Sequence, residues 1–142
     1  MAETSVNDII KMMEDWFAKA PALPENAKEV IVKITPIIAI VFGILGVLFS
    51  VSGMGVLTFL SPIAAMGVGT GFIGALFWFV ASILMIASFP GTKARKISGW
   101  KMLFWSETIN LAGSLASFSV LSGIIGALIG FYLLFQIKSF YK

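Results

Sequence analysis

The sequence predicts an all-α integral membrane protein: a four-span helical bundle preceded by an N-terminal amphipathic interfacial helix, with a short non-spanning apolar segment between spans one and two. Three observations predict it. First, hydrophobic residues make up 58% of the 142-residue chain and charged residues only 12%, with a mean hydropathy of +0.99. A soluble domain is about half apolar and about a quarter charged, and so short a chain has too much surface to hide this excess in an aqueous core. Second, no Asp, Glu, Lys or Arg occurs from Ile34 to Thr92, a run with room for two crossings of about 20 residues each. Third, the basic residues fall into three groups separated by pairs of apolar stretches.

Two segments follow in order. Residues 1–23 form a cytoplasmic-face helix and linker, and residues 24–142 the bundle. Ser5 can cap the first helix with Asp8 three residues on, and Val6, Ile9, Ile10, Met13, Trp16, Phe17 and Ala20 recur at helical spacing. Asn7, Asp8, Lys11, Glu14, Asp15 and Lys19 lie opposite, too polar for a secretory h-region, so span one is expected to be an uncleaved anchor. This helix is expected to lie on the inner leaflet, with docking onto its own bundle or a partner as the competing placement. Pro21 and Pro24 break it from the next, which Pro24 opens.

Span one is expected near 31–52, cut at Ser52-Gly53, and span two near 70–89, after the glycine-dense Gly67 to Gly71 and stopped by Phe89-Pro90-Gly91. The apolar stretch from Met102 to Ile137 is too long for one crossing and must fold back at Ser117 to Gly123. Spans three and four are therefore placed near 100–118 and 121–138, with Trp100, Lys101, Lys138 and Tyr141 as interfacial anchors. Segment 56–66, with Pro62 inside it, is too short to cross and is either a re-entrant half-helix or an interfacial roof. Lys11, Lys19, Lys28 and Lys33 precede span one; Lys93, Arg95, Lys96 and Lys101 separate spans two and three; Lys138 and Lys142 follow span four. The positive-inside rule then places both termini and the Lys93 to Lys101 loop in the cytoplasm, in a bacterial or archaeal cytoplasmic membrane.

Association in lipid relies on close packing of small residues. Gly43 and Gly46 in span one, Gly71 and Gly74 in span two, and Gly126 and Gly130 in span four are the expected packing positions. In span three, Ser106, Glu107, Asn110, Ser114 and Ser117 form a polar stripe that must point inward, and Gln136 of span four lies at a depth matching Glu107. Asn110 near mid-bilayer calls for an interhelical hydrogen bond. Glu107 is the one ionisable group well inside a span. Its alternatives are a structural pair with Lys101, Lys96, Arg95, Gln136 or Lys138, or a proton- or cation-coupling role.

With neither Cys nor His, disulfides, thiolate nucleophiles and the commonest general base and metal ligand are excluded. No enzyme, cofactor or metal centre is expected. The reading is a small polytopic inner-membrane protein with a structural, scaffolding or accessory role. The alternative is a small oligomeric transporter or channel using Glu107 and Asn110. The expected partners are membrane lipid and a homo-oligomer or larger membrane complex, with no nucleic acid, since the basic loop is what membrane topology already requires.

Overall fold

The computed structural model describes the backbone of residues 2–59 and 69–142 and the side chains of residues 5–53 and 73–142. The elements are helices α1 (Ala2–Phe17), α2 (Glu25–Phe59), α3 (Gly69–Lys93), α4 (Ile97–Ala116) and α5 (Val120–Ile137), then a 3₁₀ turn over Lys138–Phe140. The described residues contain no strand. Three helices among them are long and apolar enough to cross a membrane: Glu25–Gly53, Ile73–Lys93 and Val120–Phe140. This is a helical membrane protein. The predicted third span corresponds to α4, whose 20 residues suffice in length but include Lys101, Glu107, Asn110 and several serines.

Several predicted boundaries shift. Helix α1 begins at Ala2, ahead of the expected Ser5 cap. Helix α2 does not end at Ser52-Gly53 but continues to Phe59, because a glycine inside a helix costs only about 1 kcal/mol and the Ser52 hydroxyl folds back onto the Leu48 carbonyl. It thereby absorbs the start of segment 56–66; residues 60–66 lie outside the described residues. Pro90 does not stop α3. A proline removes one hydrogen bond to the preceding turn without preventing later residues from continuing the helix. The stop comes at Arg95, in the left-handed region at φ 54°, where Lys96 N–H donates to the Gly91 carbonyl at 2.8 Å. The α4–α5 turn repeats this closure, with Phe118 at φ 59° and Ser119 N–H bonded to the Ser114 carbonyl at 2.9 Å.

Consecutive helices α2 to α5 run antiparallel, and small residues set their spacing. A Cβ at Gly43 would stand 2.7 Å from Ile86 Cγ1, and one at Gly46 would overlap the Ser82 side chain, so α2 and α3 meet closely there. Gly74 approaches Ser117, and Gly130 is filled by the Glu107 carboxylate. Gly126 departs from expectation. It is exposed, with no described atom within 4 Å of a Cβ built there, since α5 turns this part of its surface away from the bundle. The surroundings of Gly71 lie outside the described side chains. The closest approach of backbone on backbone involves two glycines the pattern did not single out: a Cβ at Gly91 would stand 2.7 Å from Gly99 Cα.

The main core lies at the end of the bundle that carries Lys28, Lys33, Arg95, Lys101 and Lys142. Ile10 and Phe17 of α1 join Val32, Trp100, Phe104, Ala127, Phe131, Ile137 and Tyr141 in one buried cluster. Trp100 is fully buried and Tyr141 nearly so, so neither is the interfacial anchor that an aromatic beside basic residues suggests. The linker after α1 is strapped to α5: Tyr132 Oη donates to the Pro21 carbonyl at 2.6 Å, and Leu23 N–H donates to Gln136 Oε1 at 3.1 Å. The chain end pairs with the α3–α4 loop through Lys142 N–H to the Arg95 carbonyl and Ile97 N–H to the Lys142 carbonyl.

The side chains of α1 sort into three directions. Ile10 and Phe17 are buried against the bundle; Ile9, Met12 and Trp16 are exposed on one flank; Asn7, Asp8, Lys11 and Asp15 are exposed on the other. Glu14 pairs with Lys138 at the basic end of the bundle.

The Tyr141 hydroxyl is buried and has no hydrogen-bond partner among the described residues; Thr35 beside it donates to the Ile31 carbonyl. Burial pushes this phenol above its ordinary value of 10.0, with Thr35 and the Arg95 charge only partly opposing. A raised folded-state value means stability is complete below about pH 10 and falls as pH rises through the folded value. We expect Tyr141→Phe to leave neutral-pH stability unchanged or raise it by about 1 kcal/mol, by removing an unsatisfied hydroxyl. It should also flatten the alkaline loss, as read by thermal unfolding in detergent between pH 8 and 11.

Candidate functional site

The polar stripe of α4 does not face a single space. Nearest the basic end, Ser106 is buried and its hydroxyl donates to the Ala81 carbonyl of α3 at 2.8 Å. Hydroxyls at this spacing serve helix association in apolar surroundings. Thr108, one step off the stripe, returns its hydroxyl to Phe104 of its own helix at 2.8 Å.

Glu107 points between α2 and α5 into a cavity of about 190 Å³ lined mainly by Ile31, Ile38, Ala39, Leu133, Leu134 and Ile137, with Thr35 and Ser106 as further polar groups. Gly130 makes room for it: a Cβ there would stand 2.6 Å from a carboxylate oxygen. Among the described residues the carboxylate has no hydrogen-bond or ion-pair partner. The pairing expected from the sequence is not made: three of the five candidates are engaged elsewhere, and neither Lys96 nor Lys101 pairs with the carboxylate among the described residues. Arg95 Nη2 binds Glu29 Oε1 at 2.6 Å, Lys138 binds Glu14 and also lies 5.7 Å from the Trp100 ring centroid, and Gln136 holds the linker. Helical periodicity places Glu107 at the right depth for these groups but not in the right direction.

One turn further, Asn110, Ser114 and Ser117 line a different cavity, of about 510 Å³, with Ser50, Trp78 and Ser119. Ser117 returns its hydroxyl to the Gly113 carbonyl at 2.8 Å, and Ser114 packs where a Cβ at Gly123 would collide. No interhelical hydrogen bond from the half-buried Asn110 side chain occurs among the described residues; its amide faces this cavity. The stripe thus divides into an inner pair, Ser106 and Glu107, and an outer set around Asn110. Sequence reasoning grouped them because all five share one face of α4; it missed that α5 covers the stripe at Gly130, whereas α2 and α3 line the outer part.

Gln136 has a local role. Its side-chain oxygen accepts from Leu23 N–H, one of the free donors at the start of α2's approach, and so fixes the linker against α5. No protein-family model matches the chain, and neither does any curated protein or solved structure compared with it.

Proposed function

We propose that the chain is a small polytopic protein of a bacterial or archaeal cytoplasmic membrane, with four spans, α4 as the third, and a structural, scaffolding or accessory role. The observation that carries this reading is the three-way sorting of α1. A helix lying in a membrane interface beside a bundle needs one side for protein, one for acyl chains and one for water. Ile10 and Phe17, then Ile9, Met12 and Trp16, then Asp8, Lys11 and Asp15 supply those sides. The grouping of basic residues at one end of the antiparallel helices supports a cytoplasmic placement of that end. The bond from Ser106 to the Ala81 carbonyl of α3 supports a stripe that helps to assemble the bundle.

A single cysteine tests the topology cleanly, because the chain has none of its own. Ser98→Cys, at an exposed position in the first turn of α4, is expected to resist a membrane-impermeant thiol reagent in intact cells and to react after permeabilisation. Labelling of intact cells overturns the four-span arrangement.

The unpartnered Glu107 carboxylate favours a second reading, in which an oligomer couples proton or cation movement to this side chain. The division between the Glu107 and Asn110 cavities supports the structural reading over it. We expect Glu107→Gln to leave proton and cation flux in liposomes at the wild-type level; a wild-type flux that the variant abolishes selects the transport reading.

A further inference from the structure

Beneath α1 runs a groove that the bundle leaves open. About 350 Å³ of it is walled by Met12, Met13 and Trp16 on one side and by Leu111, Ile124 and Leu128 on the other. No charged side chain lines this part. A second cavity of about 440 Å³ shares Trp16, Phe17 and Leu128 with it and adds Lys19, Ala20 and Tyr132. The two adjoin along Trp16, Phe17 and Leu128, the first wholly apolar and the second carrying Lys19. Their position follows from the directions of α1: Met12 and Trp16 lie on the flank facing away from the basic end, whereas Glu14 on the opposite flank meets Lys138.

Lys19 is the one charged group among the described residues that lines either cavity. The Glu14 carboxylate is neutralised by Lys138, while Lys19 is exposed and makes no ion pair among the described residues. Lys19 is therefore the cation at an otherwise apolar slot, with the Tyr132 hydroxyl oxygen beside it. We propose that this groove binds one anionic glycerophospholipid of the inner leaflet, an acyl chain lying along Met12, Leu111, Ile124 and Leu128 and the phosphate at Lys19. A long side chain reaching from apolar surface to a headgroup phosphate is the ordinary behaviour of lysine at this depth. The proposal rests on the reading of α1 as an inner-leaflet helix.

Native mass spectrometry of the full chain in mild detergent tests it, with dioleoyl-phosphatidylglycerol and dioleoyl-phosphatidylcholine as probes. The wild type should retain one phosphatidylglycerol at about fivefold lower lipid concentration than phosphatidylcholine, the preference a single basic residue gives at an anionic headgroup. Lys19→Gln should reduce phosphatidylglycerol binding to the phosphatidylcholine level. Leu128→Trp and Met12→Trp, both at exposed positions, should block the groove and remove the adduct for both lipids, with circular dichroism confirming that the helices persist. Equal retention of the two lipids by the wild type, survival of the adduct in both tryptophan variants, or a lipid-free dimer that these variants dissociate overturns the proposal. Labelling of Ser98→Cys from outside intact cells, with the lipid preference intact, would instead refute the inner-leaflet reading while leaving the binding groove in place.

Discussion

Gly99→Leu is expected to destabilise the bundle by at least about 3 kcal/mol, the top of the usual range for overpacking, because the neighbour is backbone and cannot rotate aside. A Cβ at Gly99 already overlaps the Thr92 amide and the Gly91 carbonyl carbon. The same two residues hold the α3–α4 turn, since Lys96 N–H reaches the Gly91 carbonyl at 2.8 Å and Arg95 N–H the Thr92 carbonyl at 3.1 Å. Forcing the helices apart there also separates Arg95 from Glu29 and from the chain end that pairs with it. Gly126→Leu is the matched control, with nothing described within 4 Å, and should change stability by no more than about 0.5 kcal/mol. Thermal unfolding of both variants in detergent decides the comparison; equal losses would show that the Gly91–Gly99 approach does not limit packing.

Trp100→Ala should cost about 3–5 kcal/mol, the range for deleting a buried large aromatic. Trp100 is fully buried, stacks on Phe104 with centroids 5.6 Å apart and meets Phe135 edge-on at 5.5 Å. Its Nε1–H donates to the Leu134 carbonyl at 2.8 Å, in the last turn of α5, where carbonyls lack intrahelical donors. Trp100→Phe separates the two contributions. It keeps most of the ring and loses the hydrogen bond, so a loss of about 1–2 kcal/mol is expected, and a loss as large as that of alanine would make the hydrogen bond dominant. α1 should be released with the cavity, because Phe17 stacks on Phe135 at 5.4 Å, which in turn rests on Trp100. Faster proteolysis within residues 1–20 of Trp100→Ala is the accompanying sign.

The helical class and the hairpin at Ser117 to Gly123 were legible, because each follows from hydropathy along the chain. Direction around a helix axis was less so. Gly126 and Gly130 lie on one helical face by spacing, yet only Gly130 meets a neighbour, since spacing cannot say where along that face the partner helix crosses. Gly91 and Gly99 looked like a stop signal and a linker residue, and become the tightest backbone-to-backbone contact only because the turn between them reverses the chain. Glu107 shows the same limit: Arg95 and Lys138 lie at a suitable depth, but α2 and α1 present Glu29 and Glu14 to them first. Trp100 and Tyr141 match an interfacial belt in composition, and tertiary burial overrides that match.

The straps from Tyr132 to Pro21 and from Lys138 to Glu14 join residues 111 and 124 positions apart. Helix α1 is synthesised before the face it packs against exists, because Phe104, Phe131 and Phe135 all belong to the last two helices. Until those are in place, Phe17 lacks the rings of Phe131 and Phe135 against which it packs. Helix α1 therefore reaches its final place only once α4 and α5 are present, and the burial of Phe17 depends on both.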